Sequence, residues 1–136
     1  MNFNMLLKDK YSRLVLQKLE FPVYLGWGHT ERKKRQIVTV DIDIQFTHPP
    51  IACKTDLLND TFCYDTLNQT IKKNIKSKKF FLLEHLTHEI YTIVKTFLPL
   101  KNKITICVTK YPDDFFKSAG VSFFYGDNKM INKRKK

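Results

Sequence analysis

The sequence predicts an α+β domain in which antiparallel strands carry a pair of helices on one face. Three observations predict it. Val38, Val40, Ile42, Ile44 and Phe46 alternate with Thr39, Asp41, Asp43 and Gln45, the period of a strand with one buried and one wet face. Leu67, Ile71 and Ile75 recur every four residues with polar residues between them, the mark of an amphipathic helix. Ile104, Ile106 and Val108 then alternate with Thr105, Cys107 and Thr109, a second half-buried strand.

The elements follow in chain order. Residues 14–25 hold many apolar side chains and fit a first strand. Arg32 to Arg35 read as a charged turn. The alternating strand comes next and ends at Pro49-Pro50, because proline cannot donate to a sheet ladder. The first helix runs from about Tyr64 to Lys78, with Asp60 or Thr61 placed to cap it. The second carries Leu82, Leu83, Leu86, Ile90, Ile93, Val94, Phe97 and Leu98 on its apolar stripe and stops at Pro99. The strand through Ile104 to Val108 follows, and a last one lies near Gly120 to Tyr125. The order is two strands, two helices, two strands. Helices cover one sheet face; apolar residues on the other would need a partner, so an oligomer is expected.

A chain of 136 residues suits one domain, taken as residues 1–127, with 128–136 a basic and flexible tail. The hydrophobic fraction of 43% supplies a core and excludes global disorder. No apolar run is long enough to span a bilayer, and Met1 to Arg13 lack the cleavage pattern of a signal peptide. The expected compartment is the cytoplasm.

Cys53, Cys63 and Cys107 form no C-x-x-C pair and read as small buried fillers. His85 and His88 can share a helix face. With no Glu or Cys partner recognised at ligand spacing, they read as surface histidines, and no metal site is expected. The net charge of +11 attracts polyanions. It gathers in Arg32-Lys33-Lys34-Arg35, in Lys72, Lys73, Lys76, Lys78 and Lys79, and in the run from Lys133 to Lys136. Solvated faces plus a basic tail account for these runs more simply than a nucleic-acid surface does. The strand from Val38 to Phe46 also lacks the alternating aromatics of a base-stacking platform.

Four residues are candidates for chemistry. Lys110 continues the inward phase of Ile104, Ile106 and Val108. It is either a strand-end lysine reaching for solvent or a partly desolvated general base. Glu84 lies in the first turn of the second helix. There it either complements the helix dipole or takes two parallel hydrogen bonds from an amidine-like ligand. Tyr64, at the start of the first helix, ordinarily packs its ring and wets its hydroxyl. Glu31 alone is an ordinary surface carboxylate.

Taken together and in order, these residues resemble the dihydroneopterin aldolase family, whose relatives include the dihydroneopterin triphosphate epimerases. The resemblance runs from about Arg13 to Tyr125. Gly26 with Glu31 and Gln36 precedes the alternating strand. Thr55-Asp56 is followed by Asp60-Thr61-Phe62-Cys63-Tyr64. The more specific pieces are Leu82-Leu83-Glu84-His85-Leu86 and the strand end Val108-Thr109-Lys110. The implied fold is the T-fold, a four-stranded antiparallel sheet with two helices on one face (ββααββ). Its subunits close into tetramer rings, often stacked as a homo-octamer, with sites between subunits.

The implied activity is retro-aldol cleavage of 7,8-dihydroneopterin to glycolaldehyde and 6-hydroxymethyl-7,8-dihydropterin, a folate precursor. The C=N bond of the dihydropterin ring takes up the electrons, so the reaction requires no Schiff base, metal or cofactor. By the resemblance, Glu84 anchors the amino-pyrimidine edge with backbone help near Leu83. Lys110 assists proton transfer from the side-chain hydroxyl through water. Tyr64 relays a proton to the ring-side carbon, often from the neighbouring subunit, and Glu31 holds the side-chain hydroxyls. Thr55 and Asp56 are family positions near the site.

The chain departs from the family at two loops. Tyr111-Pro112-Asp113-Asp114 replaces a turn that contains Pro-x-Pro-Gly, and Gly26 to Glu31 is shorter than in many aldolases. Both loops shape the side-chain end of the pocket, which leaves an epimerase as the alternative activity. A basic nucleic-acid-binding module is the other class of function, and a non-catalytic T-fold subunit a third. Four matching site residues speak against the last.

Overall fold

The computed structural model describes residues 10–98, 101–112 and 119–128. Strand β1 (Arg13–Leu25) leads through a short helix α1 (His29–Lys33) into β2 (Arg35–Gln45). A helical turn α2 (Ala52–Thr55) and a 3-10 turn (Leu58–Asp60) precede helix α3 (Tyr64–Ile75). Then come β3 (Lys79–Phe80), helix α4 (Leu83–Phe97), β4 (Lys103–Lys110) and β5 (Val121–Gly126). The sheet order is β3-β1-β2-β4-β5. All neighbours are antiparallel except β1 and β3, which run parallel.

The strands form where period two predicted them. Along β2, Val38, Val40, Ile42 and Ile44 are fully buried, while Thr39, Asp41, Asp43 and Gln45 between them are only partly so. In β4, Ile104, Ile106 and Val108 bury against the same core. Helix α3 contributes Leu67, Ile71 and Ile75, and α4 contributes Leu86, Ile90 and Val94. Each such buried aliphatic side chain adds about 1.5–3 kcal/mol relative to exposure. The outer face of the central strands is largely polar. Its exposed apolar residues include Val15 and, across from Cys107 on β5, Phe124.

β1 reaches the core in two phases. Leu16 is buried at an even position, whereas Phe21, Val23 and Leu25 are buried at odd ones. A bulge between Leu16 and Leu19 makes the switch, with Lys18 at φ 54 and its N–H donating to Asp41 Oδ1 at 2.8 Å.

Several expectations need correction. The sheet has five strands, not four. Lys79–Phe80 pairs with Tyr24 and Leu25 because Phe80, 2% exposed, is drawn into the core. The charged turn is instead helix α1, ended by Lys34 in an extended conformation. Helix α3 starts after Cys63, with no side-chain cap; Asp60 is held by Thr55 instead. Only Cys107 is a buried cysteine. Cys53 is exposed on the short α2 turn, and Cys63 is partly exposed at the start of α3. Pro99, the loop residues 113–118 and the tail from 129 onward, Lys133 to Lys136 included, lie outside the described residues.

At its far end the sheet is fastened by Asp127. Its carboxylate accepts from the Ile104 N–H at 3.0 Å, from Lys95 Nζ at 2.9 Å and from the Tyr91 hydroxyl. Burial pushes the Asp127 carboxyl up, but the bonds from Tyr91, Lys95 and Ile104 outweigh it and hold the group below its usual range. Burial, and then the bond to Asp127, push the Tyr91 phenol up to about 12.

Candidate active site

Lys110 ends β4 on the core side of the sheet, and its side chain is 19% exposed. A lysine so placed needs a counter-charge, because desolvating an ammonium is costly. Glu31 supplies it: Lys110 Nζ donates to Glu31 Oε2 at 2.9 Å. Tyr111, the next residue, is tied to β2 by a hydroxyl–hydroxyl bond to Thr39 of 3.1 Å.

Glu31 reaches Lys110 because Gly26 makes room. Gly26 ends β1 at φ 155, a conformation that L side chains rarely adopt. A Cβ there would lie 2.5 Å from the Glu31 Cγ, Cδ and Oε1 atoms, so only glycine lets the carboxylate fold over this corner. Gln36 Nε2 donates to the Leu25 carbonyl at 2.7 Å and fixes the end of β1 from the β2 side.

The same corner is bonded to the start of α4. Gly26 N–H donates to the Phe80 carbonyl at 2.9 Å. Arg32 Nη1 donates to the carbonyls of Gly26 and Trp27, each at 2.9 Å, and its guanidinium lies 4.0 Å from the Phe81 ring centroid. Trp27 meets Phe81 edge to face at 5.8 Å. Leu82 follows as the N-cap of α4, with Leu83 and Glu84 opening the helix. The first N–H groups of a helix have no acceptor within it, so the amides at Leu83 and Glu84 are available beside the Glu84 carboxylate. An exposed carboxylate next to free amides suits a flat ligand that both donates and accepts along one edge.

Four of the seven predicted residues therefore fall into two linked groups: Glu31 with Lys110, and Leu83 with Glu84, while Tyr64, Thr55 and Asp56 lie elsewhere. Tyr64 is the first residue of α3 and is 56% exposed. Thr55 Oγ1 donates to Asp60 Oδ2 at 2.5 Å, and Asp56 adopts a left-handed conformation that closes α2. Among the described residues, no hydrogen bond or ion pair joins these three to Lys110, Glu31 or Glu84.

Sequence reasoning missed Arg32, which appeared only as part of a charge run, and Phe81, which it did not single out. The spacing of Gly26 and Arg32 was the available signal, since both lie beside Glu31. Sequence reasoning also missed Glu89. Its carboxylate lies near the rings of His85 and His88, all three ligand groups being within 4.8 Å of one another.

The sequence model of the family described as FolB, dihydroneopterin aldolase, matches residues 14–124. A protein described as a probable dihydroneopterin aldolase of Chlamydia pneumoniae is 29% identical over 103 residues, covering 75% of this chain and 76% of that one. The solved Escherichia coli dihydroneopterin aldolase in complex with neopterin superposes with a TM-score of 0.75 at 18% identity, covering 86% of this chain and 99% of that one. A Burkholderia dihydroneopterin aldolase bound to guanine gives 0.64 at 21% identity, covering 90% and 94%. At these two identities the structural likeness is one of fold. No helix among the described residues is long and apolar enough to cross a membrane.

Proposed function

The chain belongs to the dihydroneopterin aldolase family, and from that premise we propose how its own residues cleave the carbon–carbon bond of 7,8-dihydroneopterin. The observation that carries the proposal is the 2.9 Å contact between Lys110 and Glu31 at a corner bonded to the start of α4. It supports one continuous site with a pterin-holding end at Glu84 and a proton-moving end at Lys110.

Glu84 and the backbone at Leu83 hold the amino-pyrimidine edge, as suits a family whose solved relatives include one with neopterin and one with guanine. Glu31 holds the side-chain hydroxyls and keeps Lys110 oriented. Lys110, acting through water, assists the transfer of the proton from the 2′-hydroxyl. The C1′–C2′ bond then breaks, C2′ and C3′ leave as glycolaldehyde, and the electron pair passes into the ring C=N bond. Tyr64 returns a proton to C1′, giving 6-hydroxymethyl-7,8-dihydropterin.

Tyr64, Thr55 and Asp56 reach this site from a neighbouring subunit. Among the described residues no hydrogen bond or ion pair joins them to Lys110 or Glu84, which is in keeping with that arrangement. We therefore assign the protein to a homo-oligomer, a tetramer ring or an octamer, working in the cytoplasm on a small pterin. Native mass spectrometry should give four or eight times the 16.2 kDa chain; a monomer overturns the assembly.

The deciding assay is product analysis with 7,8-dihydroneopterin. Release of glycolaldehyde is the expected result. A change of side-chain stereochemistry without release would make the protein an epimerase. Failure to bind or change the pterin would overturn the whole reading.

A further inference from the structure

On the exposed side of α4, a second constellation begins one residue beyond Glu84. His85, His88 and Glu89 stand at i, i+3 and i+4, so they share one helix face. Their ligand atoms all lie within 4.8 Å of one another. The two imidazoles are nearly parallel, 18° apart with centroids at 6.4 Å. Contacts with other elements position both rings. His85 rests at 5.9 Å from Phe80 of β3, and His88 meets Tyr125 of β5 edge to face at 5.1 Å. Glu89 Oε1 accepts from Lys78 Nζ at 3.1 Å, with the Lys78 side chain 55% exposed.

We propose that His85, His88 and Glu89 form a binding site for a divalent transition cation. Two imidazole nitrogens and one carboxylate suit Zn2+, Co2+, Ni2+ or Cu2+, and three ligands from one face leave positions for water. Mg2+ and Ca2+ prefer all-oxygen shells and fit this donor set poorly. Bringing the three groups onto one ion requires only side-chain rotation, because the backbone already places them together. The lysine that Glu89 would leave is a solvent-exposed partner, and such pairs are worth about 0–1 kcal/mol. The ion would bridge the first two turns of α4, at the point where β3 and β5 both touch the helix. The site involves none of the residues assigned to pterin chemistry.

Untagged protein is titrated with CoCl2 and followed by visible absorption and calorimetry. A d–d band with no thiolate charge-transfer band is expected, which separates this site from Cys53 and Cys63. The variant combining His85→Gln and His88→Gln should keep the wild-type circular dichroism spectrum and bind Co2+ at least about tenfold more weakly. Lys78→Ala should bind it more tightly, because the competitor for Glu89 is gone. Cu2+ bound to wild-type protein should show hyperfine coupling to two nitrogens. A thiolate band, equal affinity in the double histidine variant, or unchanged affinity in Lys78→Ala would each overturn the three-residue site, as would failure of the wild type to bind Co2+.

Discussion

The two ends of β4 each carry a carboxylate–lysine pair of the same length, 2.9 Å, in opposite settings. At the Ile104 end, Asp127 also receives a backbone N–H and a phenol, and its side chain is 19% exposed. At the Lys110 end, Glu31 has one side-chain partner among the described residues and is 42% exposed. A carboxylate whose oxygens are all engaged holds chain segments together. One left partly open beside a half-buried cation is free to exchange partners with a ligand. The difference separates a fastening from the proposed working site with no appeal to residue type, since both are pairs of lysine with an acid.

Four substitutions test that separation. Lys110→Ala should lower turnover by about 10²- to 10⁴-fold, the usual contribution of a positioned acid–base group. Its urea midpoint should stay near that of the wild type; a large loss of stability would make this end structural as well. Glu84→Ala should weaken pterin binding, by about 1.5–3 kcal/mol if the hydrogen bonds to the charged group are lost. Equilibrium fluorescence titration with neopterin reads this directly, and unchanged affinity would remove Glu84 from the site.

Asp127→Asn should do the reverse of Lys110→Ala. It should cost about 1–3 kcal/mol of stability, because Lys95 loses its counter-charge, while turnover per folded molecule is kept. The pH dependence follows from the two shifts. Asp127 lies below its unfolded value, so its contribution is present above that value and fades as pH falls through the folded one. Tyr91 is raised to about 12, so its contribution is full below the ordinary phenol value and is lost as pH rises through about 12. Denaturation midpoints from acid to alkaline pH should therefore lose the difference between wild type and Asp127→Asn at both extremes. The smallest effect belongs to Arg13→Ala. It removes a two-point contact with Asp43 at 2.9 and 3.0 Å between exposed, solvent-screened side chains, so the urea midpoint should barely move.

Much of this was legible in the sequence where one period ran long enough to be counted. β2 and β4 declared themselves through alternation, and Lys110 could be assigned to the core side from that phase alone. β3 could not be seen. It is two residues long, and its partner strand lies more than fifty positions earlier in the chain. Helix α1 is likewise too short to show a 3.6-residue period, so His29–Lys33 read as charge without form. The pairing of Glu31 with Lys110 spans 79 residues. Neither residue carries a local signal for it, and only the resemblance set them side by side. Asp60 misled as a cap because Thr55, five residues earlier, claims its carboxylate.

The bulge in β1 explains why that strand looked merely apolar instead of alternating, and it also bears on chain length. Gln17 and Lys18 together stand opposite Asp41 alone, so β1 holds one spare residue at that point. Deleting either would join the even phase of Leu16 to the phase of Phe21 as one unbroken alternation, with every core side chain still facing inward. The same deletion at Val23 would turn the following residues to the wrong side. The strand thus contains a place where the loss of one residue is absorbed, and length differences among relatives in this strand should gather there.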